Sequence, residues 1–352
     1  MCWRLARQLA REHGARVTLW IDAPQVLRAI APDAAPEFAT PALAVRPWEQ
    51  ARPLGGERRV AVSAFGCDLP ATVRARLPAL WVNLEYLSAE PWIDGCHGLA
   101  SRKPDGSAIE HFFYPGFTAT SGGLLRERGL IEARDAFRAA GDPERWLAAK
   151  GFEVGPGERR ISLFCYPDAP VGRLLARLAD GPEPTHLLVP EGVAETALRE
   201  FLGQTPAPGA SERRGSLRIE RFALLAQDDY DRLLWSCALN FVRGEDSWIR
   251  ALWSGSPFVW QPYRQRENAH RAKLDAFLAR FGQAGGAPAA TGAAAALMHA
   301  WSEAADPGPA WAAYCAMLPG IATAHARWTH ALAGTTDLAT RLVAFCAERT
   351  AV

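Results

Sequence analysis

Residues 227–263 read QDDYDRLLWSCALNFVRGEDSWIRALWSGSPFVWQPY, and the reading of this stretch decides the fold. Asp228–Ser236 reads as a helix and Leu239–Val242 as a short strand. Trp248–Trp253 reads as a second, shorter helix and Phe258–Gln261 as a second strand. Alternation of this kind predicts a mostly parallel sheet with crossover helices. Working toward the N-terminus, the same pattern predicts strands at Ile161–Tyr166, His186–Val189 and Leu217–Phe222, with helices at Val171–Leu178 and Val193–Leu202. Working toward the C-terminus, Asn268–Arg280 is helical. From Ala293 onward only helical periodicity remains, broken at Pro307, Pro309 and Gly334.

The first half alternates less regularly. Val17–Ile21, Val60–Phe65, Leu80–Asn83 and His111–Tyr114 are short, apolar and rich in β-branched or aromatic residues, so they read as strands. Gly151–Arg160, GFEVGPGERR, carries three Gly and one Pro and reads as a boundary. The expected organisation is α/β: two Rossmann-like domains, 1–150 and 151–352, facing a cleft, with a helical tail on the second. Ligands of open α/β sheets bind outside the carboxyl ends of strands. The loops after Tyr166, Phe222, Val242 and Gln261 are therefore the expected binding surface. A doubly wound domain ordinarily opens with a central strand and a glycine-rich turn. This sequence opens on a helix, Met1–His13, with Trp3, Ala6, Leu9 and Ala10 on one face. The expectation is that a strand and turn belong ahead of it.

Bulk properties exclude several function classes. Lys plus Arg is 39 against 38 for Asp plus Glu, so net charge gives no support to nucleic-acid binding or a membrane-surface role. No stretch reaches the roughly 18 apolar residues of a membrane helix, and the start lacks the apolar core of a secretory signal. The Ala- and Gly-rich tract Gly282–Ala296 reads as a loop running into a helix. Seven cysteines, none in a C-x-x-C pair, argue against a zinc ribbon or a disulfide framework and for a reducing, cytoplasmic setting. The eight histidines form no zincin pattern, so no metal is expected; His97 and His270 read as ordinary polar residues.

Arg243-Gly244-Glu245-Asp246-Ser247 lies between a strand and a helix. A helix N-terminus there offers free N–H groups and a positive dipole end to an anion, and Gly244 permits a tight turn. Taken alone, Asp246 and Ser247 read first as helix caps. Glu245 and Asp246 fit sugar hydroxyls better than a phosphate, because like charges repel.

Several motifs, in order, resemble the protein-arginine rhamnosyltransferase family that modifies elongation factor P. They are CWRLARQLA (Cys2–Ala10), WVNLEYLSAEPWIDGCHGL (Trp81–Leu99), FFYPGFTATSGGLLRE (Phe112–Glu127), SLFCY (Ser162–Tyr166), QDDYDRLLWSCALNFVRGEDS (Gln227–Ser247) and PFVWQPY (Pro257–Tyr263). The resemblance implies a GT-B architecture and an inverting transfer of rhamnose from dTDP-β-L-rhamnose to an arginine of elongation factor P, without cofactor or metal. It implies donor contacts from Phe164, Tyr166, Gln227, Arg243, Glu245, Asp246, Ser247 and Tyr263, with Glu245 the residue most implicated in activity. Phe164 and Tyr166 read otherwise as core aromatics, Phe164 the more so, Tyr263 equally as a half-buried surface tyrosine, and Gln227 as a helix cap. The family often has phenylalanine where this chain has Leu224, with Phe222 nearby as a stacking face. Just before CWRLARQL the family carries an aspartate-rich turn, D-N-Y-G-D-I-G, that includes the proposed general base; here Met1 stands where it ends. Among the first-half carboxylates Glu85, Glu90 and Asp94, Glu85 stands just past a strand end. Gly116, Gly122 and Gly123 are expected to bend a loop around a partner, Ser121 to cap a following helix, and Tyr114 and Phe117 to serve as core or contact. Two other readings stand beside this one. They are a catalytically impaired nucleotide-sugar-binding protein and a glycosyltransferase with another acceptor.

Overall fold

Residues 1–32, 42–52, 60–74, 80–103 and 108–350 are described in a computed structural model of the chain. Among them the strands are β1 (Val17–Ile21), β2 (Leu43–Pro47), β3 (Val60–Ala64), β4 (Leu80–Leu84), β5 (Ala100–Arg102) and β6 (Ile109–Phe113). They continue with β7 (Arg159–Leu163), β8 (Thr185–Pro190), β9 (Ser211–Arg214), β10 (Leu217–Phe222), β11 (Leu239–Arg243) and β12 (Phe258–Gln261). The chain separates into two compact units, Met1–Arg128 with Gly334–Val352, and Gly129–Ala333.

The second unit is built on six strands in the order β12-β11-β7-β8-β10-β9. All neighbours are parallel except β9, which pairs antiparallel with β10. Counting only the parallel strands from β7, the order is 3-2-1-4-5, that of a doubly wound α/β sheet. Ile161, Leu163, Leu187, Leu188, Val189, Phe241, Val242, Phe258 and Val259 are all buried. Such continuous apolar runs are what a sheet covered on both faces requires. The strand order reverses between β7 and β11, and a buried polar bond pins that pair. The Ser162 hydroxyl donates to Asn240 Oδ1 at 2.6 Å, and Asn240 Nδ2 donates to the Leu234 carbonyl at 3.2 Å.

Two helices, Gln227–Ser236 and Asp246–Ser254, flank β11 in sequence. They are cross-linked by a buried ion pair, with Arg250 Nε and Nη2 donating to the two Asp231 oxygens at 3.0 and 2.5 Å. Asp231 lies one turn after Gln227 and Arg250 one turn after Asp246, so the pair sets the two helix starts against each other. Trp248 of the second helix stacks on Trp260 of β12 at 3.7 Å between ring centroids.

The break between units falls earlier than the glycine-rich 151–160 segment, because that segment is nailed to the second unit. Arg218 Nε donates to both Glu158 oxygens at 3.1 Å, and Arg218 Nη1 to Glu153 Oε2 at 3.1 Å. The helices just before it also belong there. Arg134 Nη1 donates to the Trp253 carbonyl at 2.7 Å and Arg138 Nη2 to Ser256 Oγ at 2.8 Å. Leu147 and Phe152 pack with Leu188, Phe222 and Leu233.

The first unit holds a parallel β1-β2 pair and a four-stranded sheet, β3-β4-β6-β5, with β5 antiparallel at its edge. The last helix, Leu338–Thr350, leaves the expected second-domain tail and joins this unit. Its Leu338, Leu342 and Phe345 pack with Leu5, Leu80, Val82, Leu84 and Phe113. The first helix, Cys2–His13, buries Trp3, Arg4, Leu5, Ala6, Arg7 and Gln8, so its covered surface extends well beyond the single apolar face. The polar members have partners: Gln8 Nε2 reaches Glu12, the Arg126 carbonyl and Asp337 at 2.9, 2.8 and 3.1 Å. No described helix is long and apolar enough to cross a membrane.

Two stability predictions follow from these ion pairs. Asp231→Ala strands a buried guanidinium and costs about 3–5 kcal/mol in urea unfolding, whereas replacing both partners with Leu and Met costs far less. Hydrogen bonding from Arg218, opposed by burial, holds the Glu158 carboxyl at about 2, below its ordinary 4.5. Its folded value lies below the unfolded one, so the contribution is present above the unfolded pKa and is lost as pH falls toward 2. Glu158→Gln therefore flattens the acid limb of a stability-versus-pH curve.

Candidate active site

The carboxyl ends of β7 and β11 carry the candidate site. Strand β7 stops at Leu163, short of the expected Tyr166, so Phe164 and Tyr166 stand in the loop beyond it. Phe164 still donates its N–H to the Phe241 carbonyl at 3.0 Å, which holds it beside the end of β11. The next residue of β11 past Val242 is Arg243. Its guanidinium carbon lies 4.4 Å from the Phe164 ring centroid and 4.6 Å from that of Tyr166. Its Nε is buried and meets no hydrogen-bond acceptor among the described residues. A guanidinium held by two π faces, with a buried N–H left over, is chemically suited to an anion.

The turn that follows is tight. Gly244 has φ +61°, and its carbonyl accepts from Trp260 Nε1 at 2.9 Å. Glu245 is the N-cap residue of the helix Asp246–Ser254, with Asp246 in its first turn. Ser247 does not present a spare hydroxyl. Its Oγ donates to the Arg243 carbonyl and accepts the Arg243 N–H at 3.2 Å, and so closes the turn. Gln227 opens the helix Gln227–Ser236, whose Tyr230 lies edge-on to Phe164 at 6.1 Å. Burial, then the nearby Asp246 and Asp231, push the Tyr230 phenol up. Tyr263 follows β12, is largely exposed, and meets Tyr166 edge-on at 5.5 Å.

The structure thus groups Phe164, Tyr166, Arg243, Glu245, Asp246, Ser247 and Tyr263 at and beyond the carboxyl ends of β7, β11 and β12, with Gln227 opening the helix Gln227–Ser236. Phe222 is not available as a stacking face, because it is buried against Phe152 at 5.4 Å. Leu224 is the exposed residue there. Sequence reading missed Gln261 and Asp168. Gln261 is buried, accepts the Tyr166 N–H at 2.8 Å and donates to Asp168 Oδ1 at 3.0 Å. The available signal was a glutamine closing the apolar run FVW. Cys165, between Phe164 and Tyr166, is pushed up to about 12 by burial and is no nucleophile.

In the first unit, Glu85 stands past β4 and accepts from Asn83 Nδ2 at 2.9 Å. Glu90 accepts from the Ser88 hydroxyl at 2.9 Å, and Asp94 from Thr118 Oγ1 at 2.5 Å. The glycines serve the chain's own packing. A Cβ on Gly116 would lie 2.6 Å from Ile93, and one on Gly122 2.4 Å from the Phe113 ring. A Cβ on Gly123 would lie 2.9 Å from the Thr336 carbonyl. Ser121 caps no helix; its Oγ donates to the Thr118 carbonyl at 3.1 Å. His97 Nδ1 accepts the Tyr114 N–H at 3.0 Å, and burial, then Arg341, lower its pKa. His270 is buried and accepts from the Gln265 N–H at 3.4 Å. Among the described residues, no three His, Cys, Asp or Glu side chains are placed to hold a metal.

A family model described as elongation factor P (EF-P) rhamnosyltransferase EarP matches residues 1–347. The chain belongs to that family of enzymes. It is 44% identical over 354 residues to a protein-arginine rhamnosyltransferase of Pseudomonas putida, covering 97% of this chain and 93% of that protein. To the enzyme of the same name from Pseudomonas aeruginosa it is 42% identical, covering 98% and 94%. A solved structure, from work on the structural basis for EarP-mediated arginine glycosylation of translation elongation factor EF-P, superposes with a TM-score of 0.68 at 33% identity. That match covers 98% of this chain and 92% of the other.

The turn at Gly244 gives a direct test of the local geometry. A Cβ there meets only Tyr166 Oη, at 3.5 Å, an ordinary contact. The cost of Gly244→Ala is therefore the left-handed backbone alone, about 1–2 kcal/mol in chemical denaturation.

Proposed function

We propose that the chain transfers rhamnose from dTDP-β-L-rhamnose to an arginine side chain of elongation factor P, with inversion at the anomeric carbon. The observation that carries this reading is Arg243. Its guanidinium rests on Phe164 and Tyr166, with a buried, unsatisfied Nε, at the strand-order reversal of a doubly wound α/β sheet. The relatives named above supply the sugar and the acceptor.

The roles divide by charge. Arg243 and the N-terminus of the helix Asp246–Ser254 receive the diphosphate. Tyr263 donates to one of its oxygens. Phe164 and Gln227 hold the nucleobase, and Tyr166 lines the same wall. Glu245 and Asp246 accept from sugar or ribose hydroxyls, where a carboxylate is favourable. Ser247 keeps Arg243 in place. The arginine nitrogen of the acceptor attacks C1 of rhamnose, the bond from C1 to the diphosphate oxygen breaks, and dTDP departs. The developing charge on the diphosphate meets a fixed cation and a helix dipole, so the step runs without metal or cofactor.

Activation of the acceptor is the demanding part. A guanidinium has a pKa near 12.5 or above, and a carboxylate must orient it and take its proton. The family resemblance assigns that base to an aspartate of the turn D-N-Y-G-D-I-G, which the family carries ahead of its counterpart of CWRLARQL. Glu85, just past the end of β4, is a carboxylate of the first unit that stands at a strand end. A translation factor as acceptor places the reaction in the cytoplasm, and seven free cysteines suit a reducing compartment.

Intact mass of elongation factor P, after incubation with dTDP-β-L-rhamnose and the protein, is expected to rise by one deoxyhexose located on arginine. Glu245→Gln should slow that gain by about 100-fold or more. Addition to a residue other than arginine, or unchanged rates in Glu245→Gln, would sink the proposal.

A further inference from the structure

The geometry points to Gln261 and Asp168 as a positioning pair that sets donor affinity by holding Tyr166, an inference that rests on Tyr166 lining the donor site. Gln261 is the last residue of β12 and only 1% exposed. A buried carboxamide at the end of a fully apolar strand is costly unless both its ends are satisfied. Both ends are. Oε1 accepts the Tyr166 N–H at 2.8 Å, and Nε2 donates to Asp168 Oδ1 at 3.0 Å.

The chain of contacts continues. Asp168 Oδ2 lies 3.3 Å from Arg264 Nε, and Arg264 Nη2 donates to the Ser302 carbonyl at 3.2 Å. Tyr166 and Asp168 belong to the loop after β7, whereas Gln261, Tyr263 and Arg264 lie at and beyond the end of β12. These strands are not neighbours, because β11 lies between them. The brace therefore arches over the end of β11, where Arg243 and Gly244 emerge, and sets the approach of the Tyr166 and Tyr263 rings. Trp260 adds a second strut from β12 to the Gly244 carbonyl at 2.9 Å.

The chemistry explains why glutamine is needed. Leucine would leave the Tyr166 N–H without its acceptor. Glutamate would keep that acceptor but set a second carboxylate against Asp168, and like charges at hydrogen-bond distance repel. The polarity of the pair can be reversed: glutamate at 261 with asparagine at 168 again gives one acceptor for Tyr166 and one donor–acceptor bond between the two side chains.

The test is titration calorimetry of dTDP onto the full chain, with thermal unfolding of each variant alongside. Gln261→Glu is expected to weaken binding about tenfold, and Asp168→Ala, at a half-buried loop position, about fivefold. The double variant Gln261→Glu with Asp168→Asn should recover most of the loss, which a merely structural role in the strand would not produce. Wild-type affinity in both Gln261→Glu and Asp168→Ala, or a double variant as weak as Gln261→Glu, overturns the brace while the donor reading stands. A wild-type protein that does not bind dTDP overturns the donor reading and the brace with it.

Discussion

The pairing of β7 with β11 is the constraint on which the rest of the second unit depends. Strand order reverses there, and the Ser162–Asn240 bond fixes the pair from inside the sheet. Because Asn240 also donates to the Leu234 carbonyl, the same side chain ties the helix Gln227–Ser236 to the strand that follows it. Register then carries outward. Phe164 stays bonded to Phe241 after β7 has ended, so an aromatic ring emerges beside Arg243 without any contact chosen for it. A slip in this pairing would part Phe164 from Arg243 while leaving a sheet.

The fold of the second unit was legible because buried parallel strands are continuous apolar runs. Leu217–Phe222 and Phe258–Gln261 match their expected bounds, and the others shift by a residue or three. The missed strands are those that break that rule. Ser211–Arg214, SERR, is a polar antiparallel edge, and Ala100–Arg102 is a three-residue edge. Leu43–Pro47 ends in proline and, among the described residues, pairs with β1 alone. The turn Arg243–Ser247 was legible because glycine and capping residues concentrate there. Gln261 and Asp168 were not, because their meaning lies in bonds between loops that follow non-adjacent strands, and no local period encodes that.

The domain boundary shows where composition misleads. Three glycines and a proline in GFEVGPGERR signal a bend, and a bend is what the chain makes. The same ten residues also carry Glu153 and Glu158, and Arg218 on β10 binds both. A segment whose carboxylates pair with a buried arginine cannot act as a free linker, whatever its glycine content. The C-terminal helix makes the complementary point. Its period is ordinary, but Leu338, Leu342 and Phe345 find their partners on β4 and β6 at the far end of the sequence.

The acid-rich turn beside Arg243 resolves in the same terms. Glu245 and Asp246 sit at a helix start, where negative charge offsets the positive dipole end. Two carboxylates there would by themselves repel a diphosphate. Arg243 changes the balance, because its charge is spread over a planar group resting on two rings and is not consumed at its buried Nε. In the proposed function the turn separates two kinds of recognition: cation and backbone N–H groups for the leaving diphosphate, carboxylates for hydroxyls. Such a division serves a nucleotide sugar, which carries both kinds of group, better than it serves a free phosphate.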